Sequence, residues 1–288
     1  MVRSKIKEKV MQAVFLLSAL ISILAVALIC IFLFANGLPA MSKIGFRNFL
    51  SGDMWRPGSD VYGILPMILG SIYVTAGALI IGVPIGILCA IFMAKFCPIK
   101  LYKILKPAVN LLAGIPSVVY GFFGLMVIVP CISDIWGGSG QSMLAASMVL
   151  GIMILPTIIG VAESAIRAVP DSYYEGALAL GSGHERSVFR VTVPAAKSGI
   201  MAGVILGIGR AIGETMAVIM VAGNQAVIPS SLVKGLRTLT ANIVLEMGYA
   251  TDLHKEALIA TGVVLFVFIL IINTCFSLVK RRSENENK

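Results

Sequence analysis

Apolar residues in this chain gather into long runs, broken by short polar segments. Each run reaches or exceeds the roughly 20 residues that a helix needs to cross a bilayer. Six such runs predict six transmembrane helices, over residues 11–35, 64–94, 108–132, 142–166, 199–222 and 257–279. The first follows a basic start (Arg3, Lys5, Lys7, Lys9) and is too long for a signal-peptide core of about 7–15 residues, so it is read as an uncleaved anchor. The second is long enough to tilt or bend, and Pro84 is its expected kink. The expected fold class is therefore all-α and polytopic: one transmembrane domain over 11–279, with residues 1–10 and 280–288 as tails.

Composition agrees with that reading. Of 288 residues, 58% are hydrophobic and 13% charged, where a soluble domain carries about 25% charged residues. Mean hydropathy is +0.96. The net charge of +9 lies in the short segments between apolar runs, with no basic face interleaved with aromatics. It is a topology signal and does not predict a nucleic-acid partner. Sixteen Lys and Arg fall in the N-terminal segment, 95–107, 167–198 and the tail; six fall in 36–63 and 223–256. That bias places both termini in the cytoplasm. Five cysteines without a CxxC predict packed thiols, with neither a disulfide framework nor a metal site.

Small residues recur at four-residue spacing, as in Gly82 and Gly86, Gly203 and Gly207, and Gly209 and Gly213, which lets helix backbones approach closely in lipid. The cytoplasmic segment 167–198 has a different character. Ser172 with Glu175, and Ser182 with Glu185, have capping-box spacing. Gly181 would end the first helix in a left-handed cap and Pro194 would stop the second. Two short helices joined at a glycine predict a rigid elbow; an amphipathic hairpin lying on the membrane fits the same spacing.

Arg210 stands near the middle of the fifth run, and a central Arg costs about 2.5–3.5 kcal/mol on insertion scales, so it needs a partner or a wet cavity. Glu214, at i+4, would share its helical face. Such a pair either glues two helices together or lines a substrate route, and the second reading is favoured. A guanidinium matches a tetrahedral oxyanion. A carboxylate suits a substrate that still carries a proton, which near pH 7 describes phosphate and not sulfate. Thr215 could add a hydroxyl, and Ser117 and Tyr120, after Gly114-Ile115-Pro116, are weaker candidates for the path. Glu163 is expected at the interface, and His184 and His254 lie in opposite aqueous loops. No catalytic constellation is visible, and no G-x-x-x-x-G-K-[ST] occurs to cradle nucleotide phosphates.

Glu175-Gly176-Ala177, then Gly181, then Val191-Thr192-Val193-Pro194 resembles the EAA loop of ABC importer permeases. Gly176 replaces the usual first alanine, and valines stand where isoleucine and leucine are commoner. Further stretches extend the likeness, among them Tyr62-Gly63-Ile64-Leu65-Pro66, Gly114 to Gly121, Gly209 to Val218 and Thr238 to Ile243. Together they resemble the C-type permease subunit of the phosphate-specific (Pst) transporter. Met216-Ala217-Val218 favours that type over the sibling A-type, which typically continues with Ala-Pro.

The resemblance implies a type I importer permease (MetI-like) fold and a transport subunit that is not itself an enzyme. It implies a heterodimer with an A-type permease, two copies of a cytoplasmic ATPase carrying ATP and Mg, and an extracytoplasmic phosphate-binding protein. It also implies ATPase coupling through Glu175, Gly176, Ala177, Gly181 and Pro194, and a bacterial or archaeal cytoplasmic-membrane location. Alternatives are a permease for sulfate, molybdate or another oxyanion, and a scaffold of a phosphate-sensing complex that does not transport. The segment 223–256, with a helix expected near 238–247, fits a docking surface or a solvated loop.

Overall fold

A computed structural model describes residues 2–285, with side-chain surroundings over 7–278; the outermost residues of both predicted tails lie outside the described residues. The first apolar run is one helix, α1 (Val2–Ile44), longer than the expected span because nothing before Gly45 breaks it. A short α2 (Phe46–Ser51) leads to a two-stranded antiparallel hairpin, β1 (Trp55–Arg56) and β2 (Val61–Tyr62), which with an isolated bridge between Gly223 and Leu236 is the β structure among the described residues. Next comes α3 (Leu65–Ile91), which continues as a π-helical turn over Phe92–Phe96. The helix runs without interruption through Pro84, where a kink is expected from the sequence.

The third span corrects the sequence reading. Residues 99–114 form a separate amphipathic helix, α4 (Ile99–Gly114), and the chain breaks at Ile115-Pro116. The apolar segment of spanning length is Ser117–Trp136, made of α5 (Ser117–Phe123), a π-helical turn and α6 (Val129–Trp136). Pro116 disfavours the α conformation of Ile115, which is extended at ψ 127°, so α4 cannot run on. Then α7 (Met143–Arg167) begins at Ser142, whose hydroxyl accepts the Ala145 N–H, as an N-cap should.

The elbow contains α8 (Asp171–Ala179), α9 (His184–Ser187), a π-helical turn over Val188–Thr192, and α10 (Val193–Ala195). The expected capping boxes are not formed: Pro170 and Gly183 occupy the N-cap positions, with no side-chain cap bond. Gly181 does adopt positive φ, at 83°, where a Cβ would be strained. The chain bends by 68° into α11 (Lys197–Gly213), is interrupted at Glu214-Thr215, and resumes as α12 (Met216–Val221). The segment 223–256 carries α13 (Leu239–Glu246), N-capped by Thr238, and α14 (Asp252–Asn285) closes the bundle.

Among the described residues, five helices are long and apolar enough to cross a membrane, and a sixth if the bent pair at the elbow counts as one. At the centre lies α7, most of its apolar stretch buried. Two predicted glycine pairs do bring helices close to it. A Cβ at Gly82 would sit 2.8 Å from the Gly151 carbonyl, and one at Gly203 would sit 3.3 Å from that of Ile158. The third pair does not: Gly209 and Gly213 have nothing within 4 Å.

Candidate functional site

Two broken helices frame the site. The first break, at Ile115-Pro116, lies between α4 and α5; the second, at Glu214-Thr215, lies between α11 and α12. The halves that follow the breaks pack tightly, since a Cβ on Gly121 would meet the Ala217 backbone at 2.8 Å. The halves that precede them are looser. Gly114, Gly209 and Gly213 all face open space.

Arg210 is half-buried in the last turn of α11. It donates from Nη1 to Thr157 Oγ1 at 3.2 Å, and among the described residues no carboxylate stands within salt-bridge distance. The expected pairing with Glu214 is not formed. Helix α11 stops at Gly213, Glu214 is extended (ψ 134°), and the i+4 geometry that would have aligned the two side chains is gone. Instead Glu214 Oε1 accepts the Ala217 N–H at 3.0 Å, so the carboxylate caps α12, where negative charge is favoured. Both side chains are only partly buried, each with one polar side-chain bond among the described residues. A guanidinium offers five donors, and four of these meet no acceptor among the described residues.

The weaker candidates divide. Ser117 is partly exposed at the start of α5. Tyr120 is buried and donates from its hydroxyl to the Leu112 carbonyl at 2.7 Å, bridging the first break rather than facing a path. Thr215 donates to the Gly213 carbonyl at 3.3 Å and braces the second break. Sequence reasoning missed Thr157, whose signal was a hydroxyl beside Pro156 in an otherwise apolar span.

Glu163, near the end of α7, is 1% exposed. It receives Tyr102 Oη at 2.7 Å, Lys106 Nζ at 2.6 Å and Arg167 Nε at 2.9 Å. This cluster ties α4 to α7, and Arg167 also donates to the Met93 carbonyl at the end of the second span. Hydrogen bonding to Glu163, followed by burial, raises the Tyr102 phenol above its ordinary pKa, keeping it a donor.

The elbow exposes Glu175, Gly176, Gly181 and Pro194, with Ala177 partly covered; nothing within 4 Å would meet a Cβ on Gly176. Leu180, 91% exposed, leaves an uncovered apolar residue at its tip. His184 Nδ1 lies 2.7 Å from Tyr174 Oη, and its ring packs edge-on against Phe96.

Residues 82–285 match the family described as binding-protein-dependent transport system inner membrane component. The chain belongs to that family. The permease is 43% identical over 265 residues to the probable ABC transporter permease protein YqgH of Bacillus subtilis, covering 88% of this chain and 86% of that one. It is 35% identical over 291 residues to the phosphate transport system permease protein PstC of Mesorhizobium japonicum, covering 94% and 89%.

Solved structures share its fold. The bacterial ABC transporter that imports the acidic polysaccharide alginate aligns with TM-score 0.67 at 16% identity, over 96% of this chain and 99% of that one. The MetNI methionine transporter aligns with TM-score 0.58 at 20% identity, over 80% and 99%. The MetI-like importer permease fold expected from the sequence is the fold observed. The chain is a multi-pass membrane component of a binding-protein-dependent importer.

Proposed function

We propose that this permease moves inorganic phosphate inward across the cytoplasmic membrane by alternating access, with Arg210, Glu214 and Thr215 on the substrate path. The observation that carries the reading is a half-buried guanidinium in α11 with no acid, among the described residues, to neutralise it. An uncompensated Arg there is costly unless water or an anion reaches it, and the open space beside Gly209 and Gly213 leaves room for both. Glu214, held by a single N–H, keeps acceptor capacity for a protonated oxyanion. The name of the relative from Mesorhizobium japonicum supports phosphate over other oxyanions.

The remaining parts of the machine follow from the same reading. A separate ATPase, present in two copies and carrying ATP and Mg, docks against the exposed elbow at Glu175, Gly176, Ala177, Gly181 and Pro194. An A-type permease pairs with this chain, and a phosphate-binding protein delivers substrate from outside. Both termini face the cytoplasm, where the Lys and Arg excess lies.

Radiolabelled phosphate uptake by the reconstituted complex, with sulfate and arsenate as competitors, tests the substrate. Arsenate should compete and sulfate should not; equal competition by sulfate overturns the assignment. Glu175→Lys should lower co-purification of the ATPase, and undiminished co-purification with normal uptake would count against the elbow as its dock.

A further inference from the structure

The outer end of the molecule holds a second buried carboxylate. Glu246, at the C-terminal end of α13, is 6% exposed. Its Oε2 accepts the Trp55 indole N–H at 2.7 Å and lies 2.8 Å from His254 Nε2, while Oε1 accepts Arg237 Nη1 at 2.5 Å. These partners come from three segments: the hairpin, the strand of loop before α13, and the first turn of α14. Tyr62 stacks on the His254 ring and meets Trp55 edge-on. The hairpin that carries Trp55 and Tyr62 presents an exposed tip between Gly58 and Val61.

The other end of α13 reaches the second helix break. Thr240 donates from Oγ1 to the Glu214 backbone carbonyl at 3.1 Å, and the Leu239 N–H donates to Ser71 Oγ at 3.0 Å. Gly70 permits this approach: a Cβ there would overlap the Arg237 carbonyl oxygen. An extended residue between two helices has a carbonyl that neither helix can satisfy, and burying it unpaired would cost free energy. Thr240 supplies the partner, and in doing so restrains the backbone dihedral that sets where the Glu214 carboxylate stands. An eight-residue helix spans about 12 Å at 1.5 Å per residue. One rod therefore joins the hub under the outer hairpin to the residue separating α11 from α12.

We propose that α13 is a strut linking the binding-protein side of the permease to the substrate path, anchored by Glu246 and acting on Glu214 through Thr240 as a positioning residue. The proposal rests on Glu214 lying on that path. The occupant of the outer surface is the solute-binding protein of the importer, and its seating on the hairpin would shift Trp55, the hub and α13 together. Arg237 belongs to the anchor, since it also bonds Asn242 Oδ1 and the Asn224 carbonyl.

The test uses the complete complex in proteoliposomes, with binding protein present or absent. Thr240→Val should lower binding-protein-stimulated ATP hydrolysis and uptake by about tenfold, the middle of the range for coupled sites. Thr240→Ser should restore both, because it keeps the hydroxyl. Trp55→Phe should give a similar loss, and the double variant Trp55→Phe with Thr240→Val should be no worse than either alone. Complex yield and unstimulated hydrolysis should not change. Normal stimulation in Thr240→Val, failure of serine to rescue, or losses that multiply in the double variant would each overturn the strut. Normal uptake in Arg210→Gln alongside a defective Thr240→Val would take Arg210 off the path and leave the strut to Glu214 standing.

Discussion

Two polar regions sit within the apolar body of this permease, and they are built in opposite ways. Around Glu163 the carboxylate is saturated: it takes donors from Tyr102, Lys106 and Arg167, and its side chain is closed to solvent. At the second helix break the charges are left open, Arg210 holding one threonine hydroxyl and Glu214 one backbone N–H. Saturated groups hold helices together and have nothing to give a ligand. Open ones are costly in the resting protein and become useful only when something arrives. Burial alone would have ranked the Glu163 cluster first, whereas counting unused donors and acceptors points to Arg210.

The largest test of that contrast is Arg210→Gln. Removing the guanidinium should lower phosphate uptake by about a hundredfold or more, as expected when a charge-assisted contact worth roughly 3 kcal/mol is lost. Assembly should be unchanged, since no ion pair among the described residues depends on Arg210. Arg210→Lys should recover only part of the activity, because an ammonium lacks the planar fork. Wild-type uptake in Arg210→Gln would erase the distinction between the two regions.

Glu163→Gln probes the other side. It leaves Lys106 and Arg167 without their acid, and breaking a fully buried pair costs about 3–5 kcal/mol. Both cations are partly exposed, which reduces the expected loss to roughly 1–3 kcal/mol. Thermal unfolding of the purified complex should shift down, while uptake per assembled complex stays near normal. A stable Glu163→Gln complex with lost uptake would make this cluster functional and reverse the comparison. Between these lies Glu214→Gln. The amide oxygen can still accept from Ala217 N–H, so stability should hold, while uptake falls by about tenfold and sulfate competes better, one hydrogen-bonding charge being worth about 1.5 kcal/mol or more.

Much of this architecture was legible along the chain. The cores of the second, fourth and sixth spans, the elbow with its left-handed Gly181, and α13 all lie close to where the sequence places them, because long apolar runs and cap residues act locally. The breaks were harder. Pro116 marked the first, yet residues 108–114 are apolar enough to extend a span; the three lysines of α4 show it to be amphipathic only once Lys106 is seen facing Glu163. The second break carries no proline, and an unbroken helix predicted an Arg210–Glu214 pair that the real backbone separates. Both acid hubs were invisible for a simpler reason. Glu163 meets Lys106 across 57 residues, and Glu246 meets Trp55 across 191. No local pattern records such a meeting.

The smallest effect sharpens the comparison most cheaply, because it asks whether the space beside Arg210 is real. Glycine in a helix interior is disfavoured relative to alanine by about 0.5–1 kcal/mol, so an unneeded helical glycine should tolerate the change or gain from it. At Gly82 the glycine is needed: an added Cβ would press on the Gly151 carbonyl at 2.8 Å, and overpacking of that kind costs about 1–3 kcal/mol. Gly209 meets nothing within 4 Å. Gly209→Ala should therefore leave the unfolding temperature unchanged or slightly raised, with uptake intact. Gly209→Trp should be nearly as stable, yet it should slow uptake by filling the open space at Gly209. If Gly209→Ala destabilises the complex as Gly82→Ala does, that face of α11 is packed against another subunit, and the room for an anion must lie elsewhere.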